Sequence, residues 1–172
     1  MKRLVLSVLL GLCSLVFAQN TFDNVETHNI NPAQFNKVSN RQIECLAKNM
    51  YFEAKNEPTV GIQAVGYVTL NRVADSRFPR TICDVVYQRV DNVCQFSWVC
   101  LHGKNPPITD NRKYKEIYKM ADTLANATHL KYIKKTDPTK GSLYFHATYV
   151  NPGWNLKKKA TIGGHVFYSG NK

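Results

Sequence analysis

Pro58 separates two stretches of helical periodicity, and the second is apolar on almost every side. Residues 59–74 carry Ile62, Ala64, Val65, Val68, Leu70 and Val73, which leave little polar face, so this helix belongs at the centre of a core. Gly61 and Gly66 lower its intrinsic propensity but let another element come close. Upstream, Ile43, Leu46, Ala47, Met50 and Ala54 recur at three- and four-residue spacing and predict one buried stripe. That first helix is expected from near Asn40, as its N-cap, to about Lys55, with Pro58 in the first turn of the next. Phe78-Pro79 marks a break, and residues 81–88 read as a short helix or an extended piece. After the loop at Asn105-Pro106-Pro107, a third helix is expected over 111–127, with Tyr114, Ile117, Tyr118, Ala121, Leu124 and Ala125 as its stripe. The last third is rich in aromatic and β-favouring residues at 142–148 and 165–168, as expected of strands. A Pro/Gly/Asn loop at 149–155 lies between them, and Gly163-Gly164 supplies a turn. The order predicts a compact α+β domain over 41–172, with helices in the N-terminal two thirds and short strands in the C-terminal third.

The beginning of the chain reads differently. Lys2 and Arg3 precede the apolar run 4–12, and Val16-Phe17-Ala18 offers small residues for cleavage, so residues 1–18 read as a secretory signal peptide. The run is short for a membrane span, although an uncleaved signal anchor is the competing reading. Cys13 is a poor lipid-attachment site because Leu12 precedes it. Residues 19–40, polar and Asn-rich, read as a flexible arm. The formal net charge of +11 stays strongly positive without Lys2 and Arg3. In a cytosolic protein that excess would suggest nucleic acid; in an exported one it points instead to an anionic surface such as bacterial cell wall or a membrane face. The expected location is therefore periplasmic, extracellular or in the cell wall, with no nucleic-acid partner and no stable membrane span after cleavage. Nothing in the sequence asks for more than a monomer.

Four cysteines follow the leader: Cys45, Cys83, Cys94 and Cys100. An even count in an oxidising compartment favours two disulfides, with three connectivities open. Cys94 and Cys100 enclose a short segment and would brace it as a loop, which leaves Cys45 to Cys83. Free buried thiols are the alternative. No zinc-type cysteine spacing is present, and no metal or cofactor is implied.

Glu53 projects from the edge of the first helix's apolar stripe. A carboxyl held against apolar neighbours has its charged form disfavoured, so it retains a proton toward neutral pH and can act as a general acid. The plain alternative is a partly exposed glutamate near a helix end. Glu57 would share its face if the helix continued, but the residue before a proline is pushed out of helical geometry, so Glu57 reads as structural or capping. Three further clusters combine aromatic and polar groups suited to sugar rings. They are Gln95, Phe96, Ser97 and Trp98 in an expected loop; Tyr144 and His146 on one face of a strand; and Asn151 with Trp154 at a turn. For Phe96, Trp98 and Trp154 the alternative is service as core anchors. Ser97 lacks a Gly-x-Ser-x-Gly elbow, and there is no phosphate-cradling glycine loop.

Taken in order, Cys45-Leu46-Ala47, Tyr51-Phe52-Glu53-Ala54-Lys55-Asn56-Glu57-Pro58, Gly61-Ile62-Gln63-Ala64-Val65 and Asn71-Arg72-Val73 closely resemble the SleB-type cell-wall hydrolase family. The likeness runs on through Phe78-Pro79, Cys83-Asp84-Val85-Val86, Cys94-Gln95-Phe96-Ser97-Trp98, Tyr144-Phe145-His146 and Asn151-Pro152-Gly153-Trp154, and ends at Ile162-Gly163-Gly164-His165-Val166-Phe167-Tyr168. The resemblance implies a lysozyme-like domain that cuts the glycan of peptidoglycan by a lytic-transglycosylase route. It also implies that Glu53, first acid of the Tyr-x-Glu-Ala-x-x-Glu motif, is catalytic. Lys55 keeps the basic type usual after Glu-Ala, while Asn56 stands where a glycine is frequent. A wall-binding repeat domain is not expected within this length, so spore cortex as the particular substrate is not implied. The competing functions are muramidase-type hydrolysis by water, a non-catalytic wall-binding module, and a zinc amidase, for which the histidines lack the arrangement.

Overall fold

The computed structural model describes residues 37–127 and 135–170. The expected leader, and the arm as far as residue 36, lie outside the described residues. Helix α1 spans Asn40–Ala54 and buries the expected stripe of Ile43, Leu46, Ala47, Met50 and Ala54. Its N-cap is Ser39, extended and without a side-chain bond, one residue earlier than the sequence suggested. Pro58 caps α2, Thr59–Ala74, and its carbonyl accepts the amides of Gly61 and Ile62. α2 is buried along most of its length, as an all-round apolar helix must be. A Cβ at Gly66 would come within 2.9 Å of the Leu124 side chain and 3.0 Å of the Met50 sulfur. The missing side chain therefore lets α1, α2 and α5 (Asn111–Asn126) pack together. Asp110 caps α5 by accepting the Lys113 amide at 2.9 Å.

Between these helices the chain makes α3 (Ile82–Val86), β1 (Arg89–Val90), β2 (Val93–Cys94) and α4 (Ser97–His102). The hairpin β1–β2 and the helical turn α4 stand where a loop was expected around Cys94–Trp98. Asp91 and Asn92 both take positive φ, 49° and 65°, the geometry that closes a two-residue hairpin. Cys94 is bonded to Cys100 across α4, and Cys45 to Cys83, which ties α1 to α3. The pairing favoured by the spacing is the one present, and the free-thiol alternative falls.

The C-terminal part forms an antiparallel sheet in the order β3–β5–β4, from β3 (Tyr144–Ala147), β4 (Lys158–Ile162) and β5 (His165–Tyr168). β4 was not expected, because Lys157-Lys158-Lys159 lacks the aromatic and β-favouring character of residues 142–148 and 165–168. As an edge strand it gains from those charges, since lysines on an edge discourage pairing with another chain. Phe145, Phe167, Ala160 and Ile162 seat the sheet on Ala64 and Val68 of α2. Tyr144 pairs with Tyr168 and His146 with Val166, so alternation turns Tyr144, His146 and Tyr168 to the other face. No helix among the described residues is long and apolar enough to cross a membrane.

Candidate active site

The last turn of α1, the junction into α2, the chain after β3 and the Gly163–Gly164 turn enclose a hollow of about 260 Å³. Phe52, Glu53, Glu57, Thr148, Tyr149 and His165 are among its walls. A buried polar junction anchors α1 one turn earlier. The Asn49 amide donates to Thr69 Oγ1 at 3.1 Å, and its oxygen accepts the Trp98 indole N–H at 3.0 Å. One side chain on α1 thereby pins α2 and α4, and Asn49 lies one helical turn before Glu53. Phe52 stacks on Trp98 with ring centroids 4.9 Å apart. Tyr51 is fully buried and accepts the Asp110 amide at 3.0 Å. α1 is therefore held on three sides where it presents Glu53.

Glu53 is half-buried, and its carboxyl makes no hydrogen bond among the described residues. Loss of water raises its pKa from 4.5 to about 7, and the positive charge of Arg72 pulls the other way. Arg72 is a charged residue in an otherwise apolar helix and is 4% exposed. Its Nε donates to the Leu143 carbonyl at 2.8 Å, while its Nη1 is buried without a hydrogen-bond partner. The rings of Phe96, Phe78 and Tyr144 surround the guanidinium at 5.0, 5.3 and 5.5 Å. Burial lowers its pKa to about 10, which leaves it charged at neutral pH.

Glu57 is differently placed. Its amide donates to the Ala54 carbonyl at 2.9 Å, closing the turn after α1, and its Oε2 accepts the Gly164 amide at 2.7 Å. Oε1 lies 4.0 Å from His165 Nδ1, a nitrogen with no hydrogen-bond partner and a pKa lowered by burial. Cβ atoms at Gly163 or Gly164 would collide with this carboxylate, and Gly163 has φ +56°. The structural role read for Glu57 is thus visible as a strap between the helix junction and the β4–β5 turn.

The eight residues expected to bind sugar do not line this hollow. Phe96 and Trp98, at 2% and 4% exposure, are core residues. Trp98 has Phe52 on one face and Tyr87 at 6.2 Å, so sugar stacking gives way to packing. Gln95 is half-buried and Ser97, the first residue of α4, is exposed. Tyr144, His146 and Trp154 do come together. Trp154, 42% exposed, stands roughly perpendicular to Tyr144, His146 and Tyr168 at 6.0, 5.5 and 5.9 Å. His146 Nδ1 is 2.9 Å from the Ala147 carbonyl, which assigns the proton to Nδ1; Nε2 then accepts from the Tyr168 hydroxyl at 3.0 Å. Asn151 is exposed and accepts the Gly153 amide at 3.2 Å. Arg72, His165 and Tyr149 were missed as site residues. Arg72 alone carried a signal, as a cation inside an apolar helix. A larger hollow of about 710 Å³ lies by the end of α2, but Asp137 there already accepts from Asn71, Thr139 and Gly141.

A family model described as Cell Wall Hydrolase matches residues 56–168, more than half of the chain. The match begins just after Glu53, whose standing here comes from its surroundings. The spore cortex-lytic enzyme of Halalkalibacterium halodurans is 27% identical over 157 residues, covering 87% of this chain and 40% of that protein. The spore cortex-lytic enzyme of Bacillus cereus is 28% identical over 139 residues, 77% of this chain and 46% of that one. The chain thus spans less than half the length of these curated relatives. The crystal structure of the catalytic domain of the Bacillus cereus SleB protein superposes with a TM-score of 0.56 at 28% identity, covering 78% of this chain and 94% of that one.

Proposed function

We propose, from the premise that this chain belongs to the cell wall hydrolase family, that it cuts the glycan strands of peptidoglycan with Glu53 as its acid. The observation that carries the reading is a half-buried carboxyl beside a hollow, free of hydrogen bonds among the described residues and with a pKa near 7. Such a group holds a proton at neutral pH and is acidic enough to deliver it to a glycosidic oxygen. Glycosidases that use water ordinarily require a second carboxylate as nucleophile or base. The candidate, Glu57, has one oxygen committed to the Gly164 amide. That favours a lytic-transglycosylase route. Glu53 protonates the oxygen between N-acetylmuramate and N-acetylglucosamine, then as a carboxylate takes the proton of the muramate 6-hydroxyl. That hydroxyl attacks the anomeric carbon, closes a 1,6-anhydro ring and displaces the N-acetylglucosamine. The nucleophile is part of the substrate, so no attacking water has to be positioned.

For glycan beyond the hollow we assign the expected residues that keep solvent access: Gln95, Ser97, Tyr144, His146, Asn151 and Trp154. The basic surface suits an anionic wall, and two disulfides suit an oxidising compartment outside the cytoplasm. Release of soluble glycan from purified peptidoglycan by wild type and by Glu53→Gln, each with and without a chelator, tests the proposal. Release by wild type alone, indifferent to chelator, is expected. Wall binding without release by either protein would leave a binding module, and loss of release with chelator would indicate a metal-dependent amidase.

A further inference from the structure

Glu53 is not alone at the hollow in lacking a hydrogen bond. His165 opens β5, the central strand of the sheet, where it stands opposite Ala147 on one side and Ile162 on the other. Its side chain is buried, at 8% exposure, and the Phe145 ring stands across it at 5.2 Å and 86°. Strand pairing and that edge-to-face contact fix where the imidazole lies. Buried polar atoms normally have a hydrogen-bond partner, and His165 Nδ1 has none. It faces Glu57 Oε1 at 4.0 Å, the oxygen left over once Oε2 has taken the Gly164 amide. A bare lone pair turned to a carboxylate is repelled and an N–H is attracted, so the proton of a neutral imidazole belongs on Nδ1. Burial favours the neutral ring, against the pull of the Glu57 charge. Nε2 then carries the lone pair. It has no hydrogen bond among the described residues and, unlike Nδ1, is not closed off from solvent. The ring borders the same hollow as Glu53. On that wall the Thr148 amide is already spent on the Gly164 carbonyl at 2.8 Å.

Resting on the reading of Glu53 as the acid of a glycan-cutting site, we propose that His165 binds the substrate, its Nε2 accepting a hydrogen bond from a sugar hydroxyl in the hollow, and that Glu57 is the positioning residue for this ring. Glu57 acts by holding the proton on Nδ1, so one carboxylate serves two ends: Oε2 straps the turn and Oε1 sets the tautomer. A neutral acceptor suits the place. A further carboxylate there would make Glu53 harder to ionise after proton delivery, whereas an imidazole nitrogen orients a hydroxyl without adding charge.

Nitrogen-15 and carbon-13 NMR of the histidine side chains, assigned through bonds, reads which nitrogen carries the proton whatever reaction the protein performs. Near neutral pH the wild-type His165 should be the Nδ1–H tautomer. In Glu57→Gln the amide oxygen keeps the Gly164 bond and its NH2 group faces Nδ1, so the proton should move to Nε2. Nε2–H in wild type, or an unchanged tautomer in Glu57→Gln, would overturn the pairing. Soluble glycan strands stripped of their peptides, added to Glu53→Gln so that they are not consumed, should shift the His165 Nε2 resonance. Strands that bind and leave it unmoved would overturn the contact. In glycan release His165→Phe should lose about tenfold, more through KM than through kcat, and His165→Gln should recover part of it by returning a polar acceptor. A His165→Phe variant as active as wild type would mean that the ring only packs. If neither substitution folds, the tautomers and the strand-induced shift still decide, since they need only wild type, Glu57→Gln and Glu53→Gln. Strands that do not bind at all would remove the functional reading instead, and the tautomers would still decide the pairing.

Discussion

Glu53 and Glu57 stand four positions apart and both border one hollow, yet the two ends of this short stretch are built in opposite ways. At the end of α1 the chain supplies apolar walls, withholds hydrogen bonds and leaves a carboxyl that keeps its proton to about pH 7. At the junction it supplies a backbone amide at 2.7 Å and two glycines without side chains, so the carboxylate becomes a strap. Helical spacing would have put the two acids on one face. The helix stops at Ala54, and the turn through Lys55 and Asn56 sends Glu57 to the sheet instead. A proton donor needs unsatisfied lone pairs in a dry place, and a strap needs them spent; one sequence motif contains both.

Neutralising each acid in turn separates the two roles by the largest effect. Glu53→Gln should lower glycan release by about 10²–10⁴-fold, the range supplied by a positioned general acid. Glu57→Gln should cost about tenfold or less, because its amide oxygen can still accept from Gly164. Equal losses would mean that the two acids share the chemistry.

The next effect concerns stability and needs no substrate. Glu53 binds its proton more tightly folded than unfolded, so its contribution is fully present below about pH 4.5 and is lost as pH rises through about 7. The change is about 3 kcal/mol at most. Glu53→Gln carries no such cost, so in urea unfolding its advantage over wild type should grow between these pH values and level off above. A constant difference would show that Glu53 is not held in a dry site.

A smaller loss is expected on the other side. Glu57→Ala removes a charge-assisted bond to a backbone amide and should destabilise the fold by about 2 kcal/mol by denaturant unfolding. Gly163→Ala, which drives a Cβ into that carboxylate at a positive φ, should cost at least about 1 kcal/mol. Because both act on one contact, the double variant should lose less than the sum; strict additivity would mean the strap is not the shared cause.

Much of this arrangement is legible in the chain. The apolar periodicity of residues 43–54 and 59–74 specifies α1 and α2, and Pro58 specifies the break between them. Aromatic alternation specifies β3 and β5. β4 was hidden because an edge strand tolerates lysines in place of the aromatic and β-favouring residues that mark β3 and β5, and the β1–β2 hairpin because Asp91-Asn92 is a less usual pair for its turn. In the site, the stripe placed Glu53 against apolar neighbours, but burial of Phe96 and Trp98 was not readable. Aromatics near a disulfide suit a sugar platform and a core equally, and only tertiary packing distinguishes them. Arg72 stood out as a cation inside an apolar helix, but its cage of Phe78, Phe96 and Tyr144 did not, since only tertiary packing assembles it.

On the proposed route Glu53 works alone, as acid and then as base, while Glu57 stays bound to the turn. Mass spectrometry of the fragments that wild type releases from purified peptidoglycan decides between this route and its rival. Muramate ends in the 1,6-anhydro form are the result expected. Reducing muramate ends would contradict it, because water would then be the nucleophile and a second carboxylate, Glu57 first among the candidates, would have to activate it.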